Sequence, residues 1–355
     1  MKLGETPMSF LPRLVGLSLA TLVLASPVLA QNAKVLEAAN MKGTDRTAKL
    51  YENAKKEGVI NLYTSQTVQD MTLLKNAFEA KYPGVKINIW RSSSEDIVHR
   101  AVTEYGAKRF EVDAFETDQS GLEALHREKL LQAVDSPVIA ELVPQAAAPK
   151  EWLGTRLQII TAAINTKAFP EGDYPKRYED LLDPKWKGKI AVEAGDADWF
   201  ATTVEAMGEE KGLKLFRDIA DKNGFQIRKG HTLLANLIAA GEVPFAVTTY
   251  MFRVRQLNKS GAPIAPLYLE PAVARVNGMG LAANAPHPNA TVLFMDWLLT
   301  DGQEILSNHE FFSTNKRFSS TPPEMKIIYV NAADQMDNGE KWEKLFNEIF
   351  VRKKR

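Results

Sequence analysis

The sequence predicts an α/β fold in which two βαβ lobes are joined by a hinge of crossing strands. Strand-like runs alternate with helical patterns in both halves of the chain, which is typical of parallel sheets covered by helices. Between the halves, residues 157–164 form an apolar run of Ile, Leu, Thr and small Ala, as in a strand covered on both faces. A turn-rich passage and a second strand at 189–192 follow. A buried strand that leaves one α/β unit and leads into another is what a hinge requires.

The first half of the chain shows the alternation of predicted strands and helices. Residues 31–55 indicate a weakly amphipathic helical lead-in, and strands are predicted at 59–63, 85–90 and 112–115. A helix that ends at Tyr82 separates the first two strands, because Pro83-Gly84 stops it. Serines and acidic residues after Arg91 predict the next helix start. A third helix is predicted at 121–131.

The second half repeats the alternation. Strands are predicted at 189–192, 225–227 and 244–248, and the helices between them at 199–207, 210–222 and 232–240. Strand-like segments return from Ala265, before helices at 291–299, 302–308 and 341–351. In the hinge passage, Asp183-Pro184 limits residues 178–182 to about one helical turn, because a residue before proline is pushed out of the α region.

Length and composition limit the classes of protein and of partner that the chain can represent. The chain has 355 residues, zero formal net charge and no cysteine, so neither a polyanion partner nor disulfide or thiolate chemistry is expected. Lys2 and Arg13 precede an apolar run at 14–24 and the small residues Val28-Leu29-Ala30, a pattern typical of a secretory signal peptide that is cleaved after Ala30. The apolar run is too short to span a bilayer. We therefore expect a mature protein, of net charge −1, that is free in the periplasm.

The hinge passage carries a resemblance. Residues 178–190, YEDLLDPKWKGKI, resemble the interlobe segment of bacterial periplasmic solute-binding proteins, in the branch of ferric-ion, thiamine, polyamine and phosphonate binders. The runs AAGEVP at 239–244 and GMGL at 278–281 agree with it. The resemblance implies a type II periplasmic binding fold with two Rossmann-like lobes, and chain crossings near Thr161, Leu267 and Phe318. It implies lobe I at 31–162 and 266–317, and lobe II at 163–265 and 318–355.

The same resemblance implies a function. The chain is expected to be the substrate-binding component of an ABC importer, a monomer without cofactor that delivers a small solute to an inner-membrane permease. No nucleic-acid partner is expected, since no basic cluster is interleaved with aromatic residues. A secreted hydrolase is the alternative from another class, with Glu116, Asp118 and Glu193 as converging acids. The sequence contains no G-x-S-x-G, G-x-G-x-x-G or P-loop motif that would favour an enzyme.

Ligand-binding candidates follow from the rule that ligands of α/β sheets lie beyond the carboxyl ends of the strands. In the first lobe these candidates are Ser65, Gln66, Arg91, Ser92, Ser93, Glu116, Thr117 and Asp118. In the second lobe they are Glu193, Gly195, Asp196, Asp198, Trp199, Arg228, Gly230, His231, Thr232 and Tyr250. Arg156, at the start of the crossing strand, is expected to face the cleft.

Two interpretations of these candidates stay open at this point. Arg91 with three serines at a helix start is either an anion cradle or a helix cap with a surface arginine. The acids that follow residue 192 hold an amine, or they are ordinary first-turn acids. The arginines and the helix-start N–H groups favour a solute that bears a carboxylate, phosphate or phosphonate group.

Ferric iron is the alternative cargo. By the resemblance, Tyr250 stands where ferric-ion binders carry the first of two adjacent tyrosines, but Met251 replaces the second. Thr67 stands near the place of their first-loop histidine. Ferric iron prefers anionic oxygen ligands, and a thioether is a poor substitute. If iron is bound, Asp118, Glu193 and Tyr250 are the expected ligands. Otherwise no metal site is predicted, because no histidine has a partner at i, i+4.

Overall fold

The computed structural model describes residue 1 and residues 27–147, 150–319, 321 and 325–351, without the side chains of residues 27–30. Most of the predicted signal peptide therefore lies outside the described residues, and its last four residues begin the first helix. Within the described residues, no helix is long and apolar enough to cross a membrane.

The first part of the chain alternates helices and parallel strands as predicted. Its elements are α1 (Pro27–Ala39), α2 (Arg46–Glu57), β1 (Val59–Thr64), α3 (Val68–Lys81), β2 (Lys86–Arg91), α4 (Ser94–Gly106), β3 (Ala114–Asp118), α5 (Gln119–Arg127) and β4 (Leu131–Gln132). Strands β2 and β3 lie on either side of β1 and are parallel to it. The third strand begins two residues later than predicted; just before it, the backbone N–H of Asn61 donates to the Asp113 carboxylate at 2.7 Å.

The rest of the chain contributes the crossing strands and a second parallel unit. Its elements are β5 (Leu153–Asn165), β6 (Ile190–Glu193), α6 (Ala197–Met207), α7 (Glu209–Lys222), β7 (Gln226–Arg228), α8 (His231–Ala240), β8 (Phe245–Tyr250), α9 (Met251–Lys259), β9 (Ile264–Leu267), β10 (Ala272–Ala282), α10 (Pro288–Leu298), α11 (Asp301–Asn308), β11 (Phe312–Ser313), β12 (Ile327–Tyr329) and α12 (Ala332–Phe350). Helix α9 has no counterpart in the sequence prediction. Strand β6 is parallel to both β7 and β8.

A single sheet links the two parallel units. Its main path runs β2-β1-β3-β10-β5-β8-β6-β7, and the long strands β5 and β10 are antiparallel to each other at its centre. Buried apolar residues up to Ile159, and again from Ala274, pack in a first core region. Ile160 and Val273 belong to a second core region. Since Ile159 pairs with Ala274 and Ile160 with Val273, both strands leave the first core region at the same register position.

The hinge passage is a packed part of the second core region. Residues Tyr178–Leu182 and Pro184–Trp186 form short 3-10 helices, as the Asp-Pro pair led us to expect. The Trp186 ring is fully buried, with its centre 5.0 Å from the rings of Phe169 and Phe245. This tryptophan anchors the passage to strand β8.

The last helix begins nine residues before its predicted start at 341. Asn331 caps α12 by accepting hydrogen bonds from the N–H groups of Ala333 (3.1 Å) and Asp334 (3.2 Å). Gly339 lies inside the helix. Trp342 and Phe346 of α12 are buried in the second core region, and this packing offsets the cost of about 1 kcal/mol for one helical glycine.

One ion pair of the first core region predicts a pH-dependent stability. The His287 ring lies 3.0 Å from the buried Asp113 carboxylate, whose hydrogen bond raises the pKa of His287 above its usual value near 6.5. A raised folded-state pKa adds stability that is fully present below about pH 6.5 and is lost as the pH rises through the folded-state pKa. His287→Gln should therefore cost more at pH 6 than at pH 8.5. The difference should stay below about 1 kcal/mol, because a quarter of the side chain is exposed.

Urea unfolding of the purified protein at both pH values measures this difference. His99→Gln, at an exposed histidine on α4, is the control for the substitution itself. An equal loss for His287→Gln at the two pH values would contradict the assignment.

Candidate functional site

The crossing strands carry a row of polar side chains on one face. Arg156 of β5 pairs with Asn277 of β10, and Gln158 pairs with Arg275. Because side chains alternate along a strand, these four residues point to the same side of the sheet. Arg156 and Asn277 are only 4% and 3% exposed. The centre of the sheet therefore presents a buried polar surface, which requires partners.

A cavity of about 380 Å³ lies over this row. Its wall combines loops and helix starts that follow strands β1, β2 and β3 with the end of β8 and the crossing strands. The lining residues are Ser65, Gln66, Thr67, Asp70, Arg91, Ser92, Ser93, Ser94, Glu95, Asp118, Arg156, Gln158, Thr232, Tyr250, Phe252, Asn277 and Phe311. Both parallel units contribute to this wall, so it has the position and size of a small-molecule site.

Arg156 is held at the back of the cavity but keeps a donor free. Its Nη1 donates to Gln66 Oε1 at 3.0 Å and to the Glu116 carboxylate, which is fully buried. Within the described residues, three buried polar atoms of the cavity wall have no hydrogen-bond partner: Arg156 Nε, Gln66 Nε2 and Asn277 Oδ1. Buried polar groups in proteins are nearly always paired, and an unpaired one costs about 1–3 kcal/mol. These three atoms are therefore the first candidates for ligand contacts.

The serines after β2 act as helix caps. Ser93 accepts from the N–H of Asp96 at 3.2 Å as the N-cap of α4, and Ser92 donates to the Asp96 carboxylate at 2.6 Å. Ser94 donates to Asp118 at 2.5 Å. Of the two interpretations left open by the sequence, the structure therefore shows capping. Arg91 remains exposed in the cavity wall, and it makes no ion pair with any described residue.

A second polar cluster, formed by Glu193, Asp196, Asp198, His231 and Arg275, lies between β6, the start of α8 and β10. Asp196 is fully buried, 2.9 Å from His231 Nε2 and 2.8 Å from Arg275 Nη2. Arg275 Nε donates to Asp198 at 2.6 Å. Burial alone would raise the pKa of Asp196, but the charges of His231 and Arg275 outweigh it and hold that pKa well below its usual value.

This polar cluster has the spacing of a metal site, but its carboxylates are already bonded. Ligand atoms of Glu193, Asp196 and His231 lie within 4.8 Å of one another. However, Glu193 accepts from the N–H groups of Gly195 (2.6 Å) and Gly230 (2.7 Å), and the Arg275 guanidinium neutralises Asp196. The arrangement is that of a buried ion-pair network with its own cation.

Tyr250 connects the polar cluster to the cavity. Its ring stacks on His231 with 3.8 Å between ring centres, and its hydroxyl lies 3.4 Å from Arg275 Nη1. Burial raises the pKa of Tyr250, so the phenol is neutral at neutral pH. Met251, by contrast, is fully buried in the first core region and turns away from the cavity.

The predicted site residues separate into three groups. In the cavity wall lie Ser65, Gln66, Arg91, Ser92, Ser93, Asp118, Arg156, Thr232 and Tyr250. Behind the wall lie Glu116 and Thr117, which bond to wall residues, and Glu193, Gly195, Asp196, Asp198, Gly230 and His231 in or beside the polar cluster. Two candidates lie elsewhere: the Trp199 ring is buried in the second core region, and the Arg228 side chain bonds Gln226 at 2.7 Å.

Sequence reasoning missed several residues of the site. Among them, Gln158, Arg275 and Asn277 sit inside strands, Phe252 lies in the first turn of the unpredicted helix α9, and Phe311 directly precedes β11. The signal for the first three was present in the sequence, because a polar residue at every second position interrupts otherwise apolar runs. The expected iron set is not brought together along the wall, since Asp118 and Tyr250 line the cavity and Glu193 does not.

Comparison with known proteins agrees with this architecture of two α/β units around a cleft. The solved structure of iron-bound HitA from Pseudomonas aeruginosa superposes with a TM-score of 0.69 and 20% identity, over 81% of this chain and 98% of that chain. The structure of AfuA from Actinobacillus pleuropneumoniae with fructose-6-phosphate bound gives 0.68 and 21%, over 84% and 100%. These likenesses define the fold as that of type II periplasmic binding proteins, as predicted.

The sequence comparison identifies the family. The profile of the family described as "Bacterial extracellular solute-binding protein" matches residues 115–347, and the chain belongs to this family. The Fe(3+)-binding periplasmic protein of Serratia marcescens is 26% identical over 244 residues, which are 65% of this chain and 71% of that protein. Iron uptake protein A1 of Synechocystis sp. is 23% identical over 288 residues, 76% and 79% of the two chains. The predicted role as the solute-binding protein of an ABC importer is confirmed by this family membership.

The polar cluster predicts a stability effect. Arg275→Met would remove the guanidinium that pairs with the buried Asp196 and the partly buried Asp198, and breaking a buried ion pair typically costs about 3–5 kcal/mol. The midpoint of urea unfolding should fall accordingly. Arg317→Met is the matched control, because that arginine is 68% exposed and lies 4.0 Å from Glu141; its midpoint should hardly change. If both variants unfold at the wild-type midpoint, the buried network is not a stabilising contact.

Proposed function

We propose that this chain captures a small anion-bearing organic solute in the cavity between its lobes and delivers it to an inner-membrane permease. The observation that carries the proposal is the pair of buried donors without partners, Arg156 Nε and Gln66 Nε2, at the back of the cavity. An oxyanion that accepts from both would form charge-assisted hydrogen bonds, which are about twice as strong as neutral ones.

The carboxylates of the cavity support the same choice, because they are mostly bonded. Asp118 accepts from the N–H of Gly121 at 2.8 Å and from Ser94, and Asp70 accepts from the Thr67 hydroxyl at 2.6 Å. Arg91 is unpaired within the described residues. Glu95 is the exception among the acids, since it is exposed at the rim in the first turn of α4. A ligand therefore gains most by accepting hydrogen bonds, with room for an amine or hydroxyl near Glu95.

The proposal includes the organisation of the mature protein. A signal peptide ending at Ala30 delivers a monomer to the periplasm, and lobe I (31–162, 266–317) closes on lobe II (163–265, 318–355) around the solute. The common register position at which β5 and β10 leave the first core region supports a hinge between these lobes. Closure of the lobes would bring Tyr250 and Thr232 toward the loops after β1 and β2.

Ferric iron is the second candidate, favoured by the relatives named as iron-binding and iron-uptake proteins. Tyr250 and Asp118 offer oxygen ligands in the cavity wall. The burial that raises the pKa of Tyr250 and the absence of a second tyrosine at Met251 weigh against a bare ferric ion, whose charge requires several anionic ligands. A ferric ion that arrives with a carboxylate anion would use the same donors, Arg156 and Gln66.

A thermal-shift screen of carboxylates, phosphates, phosphonates, amines and ferric citrate tests the proposed solute class. A ligand at about 100 times its dissociation constant adds about 2.7 kcal/mol of stability, so true ligands should raise the melting temperature clearly. We expect stabilisation by anions. Stabilisation by polyamines or thiamine and by no anion would overturn the proposal.

Gln66→Glu separates the two candidates. The substitution keeps an oxygen that accepts from Arg156 but replaces the unpaired amide donor with a negative charge. Binding of an organic anion should weaken about 10- to 100-fold, because a donor to a charged group is lost and repulsion is added. Ferric iron would bind as well as before or better. Gln145→Glu, an exposed site outside this cavity, is the charge-matched control for isothermal titration.

Tyr250→Phe is an independent test of whether ferric iron is the ligand. An organic solute that accepts one neutral hydrogen bond should lose about 0.5–1.5 kcal/mol of binding free energy. An iron site would lose most of its affinity and the visible absorption of a phenolate-iron bond. Protein that turns coloured with ferric ion and bleaches on this substitution would establish iron as the cargo.

A further inference from the structure

Four aromatic rings form a continuous stack beside the cavity, here called the aromatic column: His231, Tyr250, Phe252 and Phe311. Successive ring centres are 3.8, 5.7 and 4.6 Å apart, and the planes are tilted by 10°, 22° and 26°. The rings come from the start of α8, the end of β8, the start of α9 and the residue before β11. The column thus runs from the second core region to the first, across the cleft.

Three rings of the aromatic column, Tyr250, Phe252 and Phe311, belong to the cavity wall. Stacking covers the faces that neighbouring rings share, so edges are the parts left for a ligand. Aromatic edges carry partial positive charge and prefer the negative face of another ring, in a T-shaped contact. The apolar part of the wall is therefore suited to a ring rather than to a hydrated ion, which would lose water without gaining partners there.

The polar and aromatic parts of the wall occupy different places in the same cavity. The donors of Arg156, on the crossing strand β5, and of Gln66, in the loop after β1, lie at the back of the cavity, while the residues of the aromatic column that line it come from β8, α9 and the chain before β11. A volume of about 380 Å³ is within the range of small-molecule sites and leaves space beyond a single oxyanion. A ligand that fills it has an anionic end and an apolar body.

We infer that the solute is a ring-bearing organic acid, an aromatic or heteroaromatic carboxylate or phosphate. Its oxyanion accepts hydrogen bonds from Arg156 and Gln66, and its ring lies against the edges of Tyr250, Phe252 and Phe311. This inference rests on the proposed function, because it takes the anion site as given and assigns the rest of the molecule.

The experiment compares matched probes on the intact protein. Benzoate, cyclohexanecarboxylate and acetate share the carboxylate and differ in the body, and phenyl phosphate with ethyl phosphate distinguishes the two oxyanions. Dissociation constants come from titration at millimolar ligand, and saturation-transfer NMR reports whether ring protons touch the protein. We expect benzoate or phenyl phosphate to bind at least about tenfold tighter than acetate or ethyl phosphate, and about 2- to 10-fold tighter than the saturated ring.

Variants of the aromatic column make the test specific. Phe252→Leu should weaken the aromatic probe about 2- to 10-fold and leave acetate unchanged, because Leu keeps apolar bulk but loses the ring contact. Phe110→Leu, outside this cavity, is the matched control for the effect of the substitution on folding, which melting temperatures of all variants verify. Equal affinity for benzoate, cyclohexanecarboxylate and acetate would overturn the inference of a ring-bearing solute. It would leave the proposed anion site unaffected. Binding of ferric ion with no carboxylate or phosphate bound would overturn the inference together with the proposed function.

Discussion

The antiparallel pair formed by β5 and β10 is the constraint on which the rest of the molecule depends. These strands, of 13 and 11 residues, lie at the centre of the sheet and contribute to both core regions. The chain passes close to its partner at Gly278, where a Cβ atom would lie 2.7 Å from the Leu153 carbonyl oxygen. Glycine is therefore required at that position for the two strands to pair there. The other strands and helices belong to one of the two units. The geometry of this strand pair therefore determines how the two lobes face each other.

The polar row on this strand pair explains where the cavity and the polar cluster lie. A polar side chain at the centre of a sheet needs partners, and the two arginines of the row find different ones. Arg275 forms ion pairs with the acids that follow β6. Arg156 forms an ion pair with Glu116 of β3 and a hydrogen bond with Gln66 in the loop after β1. Arg156 Nε and Asn277 Oδ1, which belong to residues of the cavity wall, have no hydrogen-bond partner among the described residues. The same row thus ties the two units together and contributes unpaired polar groups to the cavity wall.

The alternation of strands and helices was predictable because short-range patterns determine it: periodicity, caps and proline breaks. The cavity loops were predictable from the strand-end rule, as Gln66 and Tyr250 illustrate. The rule says nothing about residues inside crossing strands, so Arg275 and Asn277 were missed. It also cannot tell which way a first-turn side chain points. Trp199 lies in the first turn of α6, yet the centre of its ring lies 5.7 Å from that of Phe216 in the core, an orientation decided by long-range packing.

Selectivity in such a cavity depends more on what a wrong ligand leaves unpaired than on what the right one adds. A site with buried donors rejects solutes that lack the matching acceptor strongly, whereas an apolar pocket distinguishes shapes only weakly. In the proposed function, Arg156 and Gln66 would therefore set the charge class of the solute, and the aromatic column would make the smaller choice among bodies of similar size. Since Arg275 already neutralises Asp196, a cationic solute would have to compete with a guanidinium that is fixed on the sheet. That internal cation, placed by the register of β10 against β5, occupies the carboxylates that a cationic solute would otherwise use.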